Sequence, residues 1–151
     1  MSKRIVILSI VLLAIVGSFV SSATAAEKVK VLIIDGQNNH DWKKMTPPMK
    51  ATLEATGRFT VAVSTLPSGN AKKEDWAAWD PKFADYDVIV SNWNSWPKKG
   101  VEKKWSPELR RAYLDFVRNG KGHVVIHAGS SSFYDWPDMQ KVYGANWKLG
   151  A

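Results

Sequence analysis

The chain has 151 residues, 45% hydrophobic and 23% charged, a composition that excludes a disordered or fibrous protein and suits one globular domain. It holds no cysteine, which excludes disulfides, thiolate metal sites, a cysteine nucleophile and a lipid-anchored N-terminal cysteine. The formal charge of +7 includes Lys3 and Arg4, and the other lysines are dispersed, many of them in pairs such as Lys43-Lys44 and Lys72-Lys73. That is the pattern of a solvated surface, and it argues against nucleic acid as a partner.

In chain order, Met1–Arg4 is a positive start, Ile5–Val20 an apolar run and Ala23-Thr24-Ala25 a small-residue cleavage pattern. Residues 1–25 therefore read as a secretory signal peptide, and the apolar run is shorter than the ~20 residues a spanning helix needs. The expectation is a periplasmic or secreted bacterial protein, with residues 27–151 as its domain and no stable membrane association after cleavage.

Lys28–Asp35 reads as a strand whose continuous apolar centre is buried on both faces, as in a parallel sheet. Thr46 as N-cap and Pro47 at the first helical position predict a helix ending at Gly57. Phe59–Ser64 is a second strand. A long polar connection follows, with a short helix near Lys73–Ala78, and Tyr86–Ser91 is the third strand. Ser106, Pro107 and Glu108 open a helix with Leu109, Tyr113, Phe116 and Val117 on its apolar stripe. Gly122–His127 is the fourth strand, and Phe133–Tyr143 holds one more short helix. This alternation predicts an α/β fold with three layers and a mostly parallel sheet, flavodoxin-like in order. The chain then runs to Ala151 with no closing element, so the expectation is an incomplete N-terminal portion of a longer domain.

In open parallel sheets, ligands bind beyond the carboxyl ends of the strands, where connections reverse direction. With strand order 2-1-3-4, the loops after the first, third and fourth strands open on one rim. They carry His40 and Asp41, Asn92 and Asn94, and His127. A neutral imidazole binds a metal or acts as a base near neutral pH, so His40 and His127 are the leading catalytic candidates. Together with Asp41 or Asp35 they also supply two nitrogens and one carboxylate, the donor set of a zinc-type divalent metal. His123, at the start of its strand, reads as a surface residue. Gly36-Gln37-Asn38-Asn39 lacks the glycine spacing of a phosphate cradle, and Gly129-Ser130-Ser131-Ser132 lacks that of a nucleophile turn. Trp42, Trp93, Trp96 and Trp136, beside amide and carboxylate groups, suit a polyhydroxylated small molecule: rings cover C–H faces and polar groups orient hydroxyls.

Three stretches taken together resemble the ThuA-like, or trehalose-utilisation, family. They are Gly36–Trp42 followed by Thr46-Pro47, then Tyr86–Val90, then Val117–Ala128 with Phe133 and Asp135-Trp136. The resemblance implies a class I glutamine-amidotransferase-like fold, association with sugar catabolism, and a domain that continues past this chain with further histidine and acidic motifs. Amidotransferases of that fold place a catalytic cysteine after a strand. None exists here, so amidotransferase activity is not expected. The resulting expectation is a protein acting on a sugar or oxidised sugar. His40 and His127 serve as bases or ligands, Asp41 as orienter, Asn92 and Asn94 as hydroxyl readers, and Trp42 and Trp136 as stacking walls. The alternatives are a carbohydrate-binding module without chemistry and an inactive fragment.

Overall fold

β1 (Val29–Asp35), β2 (Phe59–Thr65), β3 (Val88–Ser91) and β4 (Gly122–Val125) pair in the order β2-β1-β3-β4, all parallel, in the computed structural model of the protein. The structure describes residues 26–96 and 100–147, and the expected signal peptide lies outside the described residues. Val31 pairs with both Val61 and Val88, and Val88 pairs with Gly122, so the four strands run level and their carboxyl ends share one rim.

Side-chain alternation splits the apolar residues between two faces. Val31, Ile33, Val61 and Val90 face α1 (Trp42–Ala55), which contributes Met49 and Leu53. Leu32, Ile34 and Ile89 face the opposite layer, built from α2 (Lys73–Ala78), α3 (Pro107–Arg118) and α4 (Pro137–Tyr143). β1 is covered on both sides and is buried from Val31 to Asp35, which is why its apolar run is unbroken.

The second layer is dominated by aromatic rings. Trp105 lies stacked on Phe83 and edge-on to Trp79 and Phe133, at centroid distances of 6.3, 5.0 and 5.0 Å. Such pairs contribute about 0.5–1.5 kcal/mol each beyond their burial. Trp93 and Trp136 belong to this core, at 0% and 9% exposure. The expectation that Trp136 forms an open stacking wall, and that Trp93 flanks the rim, is therefore corrected. The reason is packing: Phe133 stands edge-on to Trp136 at 5.4 Å, and the Arg110 guanidinium covers the Trp136 ring at 5.3 Å.

Local chemistry sets most element ends. Ser106 caps α3 by accepting from the Leu109 N–H at 3.2 Å. α1 differs from expectation: it starts at Trp42, capped by Asp41, whose carboxylate accepts from the Lys44 N–H at 3.3 Å. Thr46 is thus inside the helix and buried. Pro47 and Pro48, which lack N–H donors, sit on its exposed side. His123 also departs from the surface reading. Its Nε2 lies 2.7 Å from the Tyr113 hydroxyl and its ring stacks on Tyr143 at 5.6 Å and 6°. Among the described residues no helix is long and apolar enough to cross a membrane.

Candidate functional site

β1 and β3 lie side by side, but their chains leave toward opposite edges of the sheet, so the rim above them is the reversal point. The loop after β1 begins at Gly36, whose φ is +117°. A Cβ there would lie 2.5 Å from the Leu66 carbonyl oxygen, so only glycine lets the chain turn this close to the end of β2. Gln37, Asn38 and Asn39 then fasten the loop to the one after β3. Gln37 Nε2 donates to the Asn94 and Ser95 carbonyls at 3.2 and 2.9 Å. Asn38 Nδ2 donates to the Asn92 carbonyl at 2.9 Å, and Asn38 Oδ1 accepts from the His40 N–H at 2.9 Å. This last bond is a local side-chain turn that sets where the His40 backbone goes.

His127 is fixed from the other side. Ile126 N–H still donates to the Ser91 carbonyl at 2.9 Å, as a strand residue would. The chain then turns abruptly through a short 3-10 segment, His127–Ser130, with His127 at φ +39° in the left-handed region. Gly129 allows the turn to press on β3, because a Cβ there would meet the Ser91 carbonyl oxygen at 2.8 Å. The Ser130 hydroxyl donates back to the His127 carbonyl at 3.0 Å. A non-glycine residue in this backbone region costs about 1–3 kcal/mol, and such strain concentrates where a side chain must be aimed.

Asn94 joins the two halves. Its Nδ2 donates to the Ala128 carbonyl at 3.0 Å and to Asn39 Oδ1 at 2.7 Å, while its backbone N–H donates to the Gln37 carbonyl at 2.9 Å. With its oxygen engaged by Asn94, the Asn39 amide turns its NH2 group to His40 Nε2 at 3.5 Å. Asn94 Oδ1 is buried and has no hydrogen-bond partner among the described residues.

The result is a cleft of about 450 Å³ lined by Asn39, His40, Trp96, His127, Ser131 and Trp147, among others. Inside it the rings of His40 and His127 meet, with centroids 5.1 Å apart and planes inclined by 37°. Both residues are exposed, so the pair is open to a ligand from solvent. Trp96 is half-buried and Trp147 is 68% exposed, giving the cleft aromatic surface next to polar groups.

The other sequence candidates lie elsewhere. Asn92 and Asn94 are fully buried and occupied by loop-to-loop bonds, Asn92 Nδ2 reaching Thr46 Oγ1 at 3.3 Å, so they position loops and do not read hydroxyls. Asp41 is spent on the helix cap and on Lys44 Nζ at 3.2 Å; the hydrogen bond to Lys44 holds its carboxyl below the usual range. Trp42 faces a separate groove of about 320 Å³ with Asp35, Lys43 and Lys50. Asp35 is buried and accepts from Thr65 Oγ1 at 2.7 Å. Neither carboxylate joins the histidines: among the described residues no group of three or more His, Cys, Asp or Glu is placed to hold a metal ion. Sequence reasoning missed Asn39, Ser130, Ser131 and Trp147. The Asn-Asn and Ser-Ser-Ser runs flanking the two histidines were the available signal.

Comparison with known proteins bears on this arrangement. The ThuA family, described as trehalose utilisation, matches residues 30–150. A crystal structure of a ThuA-like protein from Parabacteroides merdae superposes with a TM-score of 0.69 at 30% identity, covering 83% of this chain and 41% of that one. The chain thus spans less than half the length of that relative. No curated protein matches. With one sequence family running across both histidine loops and the same parallel architecture in a solved relative, this chain belongs to the ThuA, trehalose-utilisation, family.

Proposed function

We propose that this chain carries a carbohydrate-directed site of a secreted or periplasmic sugar-utilisation protein, taking a sugar or oxidised sugar into the rim cleft. Its chemistry comes from His40 and His127. The observation that carries the reading is the convergence of these two imidazoles, 5.1 Å apart, in an open cleft. An imidazole at neutral pH takes or gives a proton, or binds an ion through its lone pair, and two of them side by side serve two atoms of one substrate. Trp96 and Trp147 replace Trp42 and Trp136 as the aromatic surface available to a sugar ring. Family membership supplies the association with trehalose utilisation. The dispersed positive charge argues against nucleic acid, the absence of cysteine argues against amidotransfer, and the leader pattern of residues 1–25 supports a place outside the cytoplasm.

The test is turnover of a panel of trehalose-type and keto-disaccharides by the protein, by His40→Ala and by His127→Ala. Loss of a catalytic acid or base costs on the order of 10²–10⁴-fold in rate. Unchanged rates in both variants remove the catalytic assignment. A pure binding module gives the opposite pattern: calorimetric binding of oligosaccharides, weakened by Trp96→Ala, with no product formed.

A further inference from the structure

We infer that the cleft takes a sugar acid, aldonic or uronic, whose carboxylate is received by His40 and His127 while its carbon skeleton lies against Trp96 and Trp147. This deepens the reading above and rests on it: it names the group that sets the substrate apart from a neutral sugar.

The first argument is charge. The described lining of the cleft holds no Asp, Glu, Lys or Arg. Its titratable side chains are the two imidazoles, whose charge is zero or positive and never negative. Asp41, next to His40 in the chain, is engaged by Lys44 and the cap of α1, and Asp35 is buried against Thr65. No counter-charge accompanies the histidines, so an anionic ligand meets attraction without repulsion.

The second argument is hydrogen bonding. The acceptors around the cleft are largely occupied. Asn39 Oδ1 accepts from Asn94 at 2.7 Å, and the Ala128 carbonyl accepts from Asn94 at 3.0 Å and from the Ser131 N–H at 2.9 Å. The carbonyls of His127, Ser130 and Trp147 accept from Ser130 Oγ, Asn146 Nδ2 and the Tyr134 hydroxyl. The surplus is in donors. Each imidazole carries one N–H when neutral and two when protonated, Asn39 brings an NH2 group, and the indoles of Trp96 and Trp147 only donate. A sugar hydroxyl both donates and accepts, and its own proton finds few acceptors here; a carboxylate only accepts. The two imidazoles, with centroids 5.1 Å apart and both exposed, are close enough for one carboxylate to engage both.

A phosphate is the rival anion. Phosphates are held by Arg, Lys or the N–H groups of helix N-termini and glycine-rich loops, and the described lining has neither Arg nor Lys.

The experiment is calorimetric titration of the full chain, at fixed ionic strength and neutral pH, with glucuronate, galacturonate and gluconate, each beside its neutral amide. Glucose 6-phosphate stands for the rival anion. The variants are His40→Ala, His127→Gly and His123→Gln. Glycine removes the second imidazole while keeping the left-handed turn, and His123, bonded to Tyr113, does not line the cleft. We expect at least one acid to bind about tenfold or more tightly than its amide, because a hydrogen bond to a charged group outweighs one to a neutral group. That preference should fall below about threefold in His40→Ala and in His127→Gly and persist in His123→Gln. Acids that bind no better than their amides, or not at all, overturn the inference. So does a preference that survives either imidazole substitution or is lost in His123→Gln, and so does tighter binding of glucose 6-phosphate than of every acid. The two readings fail separately. Histidine-dependent binding of an acid, with no product from any sugar, sinks the catalysis proposed above and leaves this inference standing. Histidine-dependent turnover of neutral disaccharides, with no preference for acids, sinks this inference alone.

Discussion

His127 holds its backbone at φ +39°, where a side chain with a Cβ is disfavoured and a β-branched one is most so. His127→Asn and His127→Gly should therefore fold at least as stably as the parent chain. His127→Val should lose about 1–2 kcal/mol, measured by urea unfolding. His123 provides a second residue-level test. Burial pushes its imidazole down to about 4 from the ordinary 6.5, so the folded protein keeps it neutral while the unfolded chain protonates it first. Stability from this group is complete above pH 6.5, declines as the pH falls from 6.5 to 4, and changes no further below that. The loss is at most about 3 kcal/mol. Denaturant midpoints across this window should show the slope, and His123→Gln should flatten it. An equal slope in the variant would assign the effect to other groups.

At the scale of elements, the site depends on three loops that have no regular hydrogen-bond ladder of their own. Buried amides hold them: Gln37 and Asn38 tie the β1 loop to the β3 loop, and Asn94 ties the β3 loop to the turn after β4. Asn94→Ala removes both donations of its NH2 group, leaving Asn39 Oδ1 without Asn94 and the Ala128 carbonyl with the Ser131 N–H at 2.9 Å, a change of about 1–2 kcal/mol. Because the same amide orients Asn39 and spans both histidine loops, the variant should also disturb the site. The backbone amide resonances of His40 and His127 should shift together, while those of β2 stay in place. Confinement of the shifts to position 94 and its immediate chain neighbours would show that the loops are held independently.

At the scale of the whole molecule, the two faces of the sheet are unequally covered. Among the described residues, three helices and a large aromatic cluster occupy one face, and α1 alone packs on the other. α1 reaches β1 and β2, leaving Val124 on β4 and Val63 on β2 at 44% and 40% exposure. Both lie on edge strands, where exposed apolar side chains favour pairing between molecules. The double change Val63→Thr and Val124→Thr should lower the light scattering of concentrated protein while costing no more than about 1 kcal/mol in stability. A scattering curve that does not move would locate self-association elsewhere on the molecule.

The strand order, the parallel pairing and the start of α3 were legible in the sequence, because each follows from a local signal. The unbroken apolar run Val31–Ile34 reports a strand covered on both faces, and Ser106-Pro107-Glu108 is capping chemistry that acts within one turn. The meeting of His40 with His127 also followed from sequence, since parallel strands in level register deliver their ends to one rim. The tertiary structure alone decided what surrounds them. Asn94 and Trp136 have the composition of ligand-binding residues, yet one faces the carbonyl of Ala128 and the other faces Phe133. An amide satisfied by water, by a sugar hydroxyl or by a backbone carbonyl looks the same in sequence. The choice among them depends on what residues distant in the chain place across from it, and that is settled only when the loops pack.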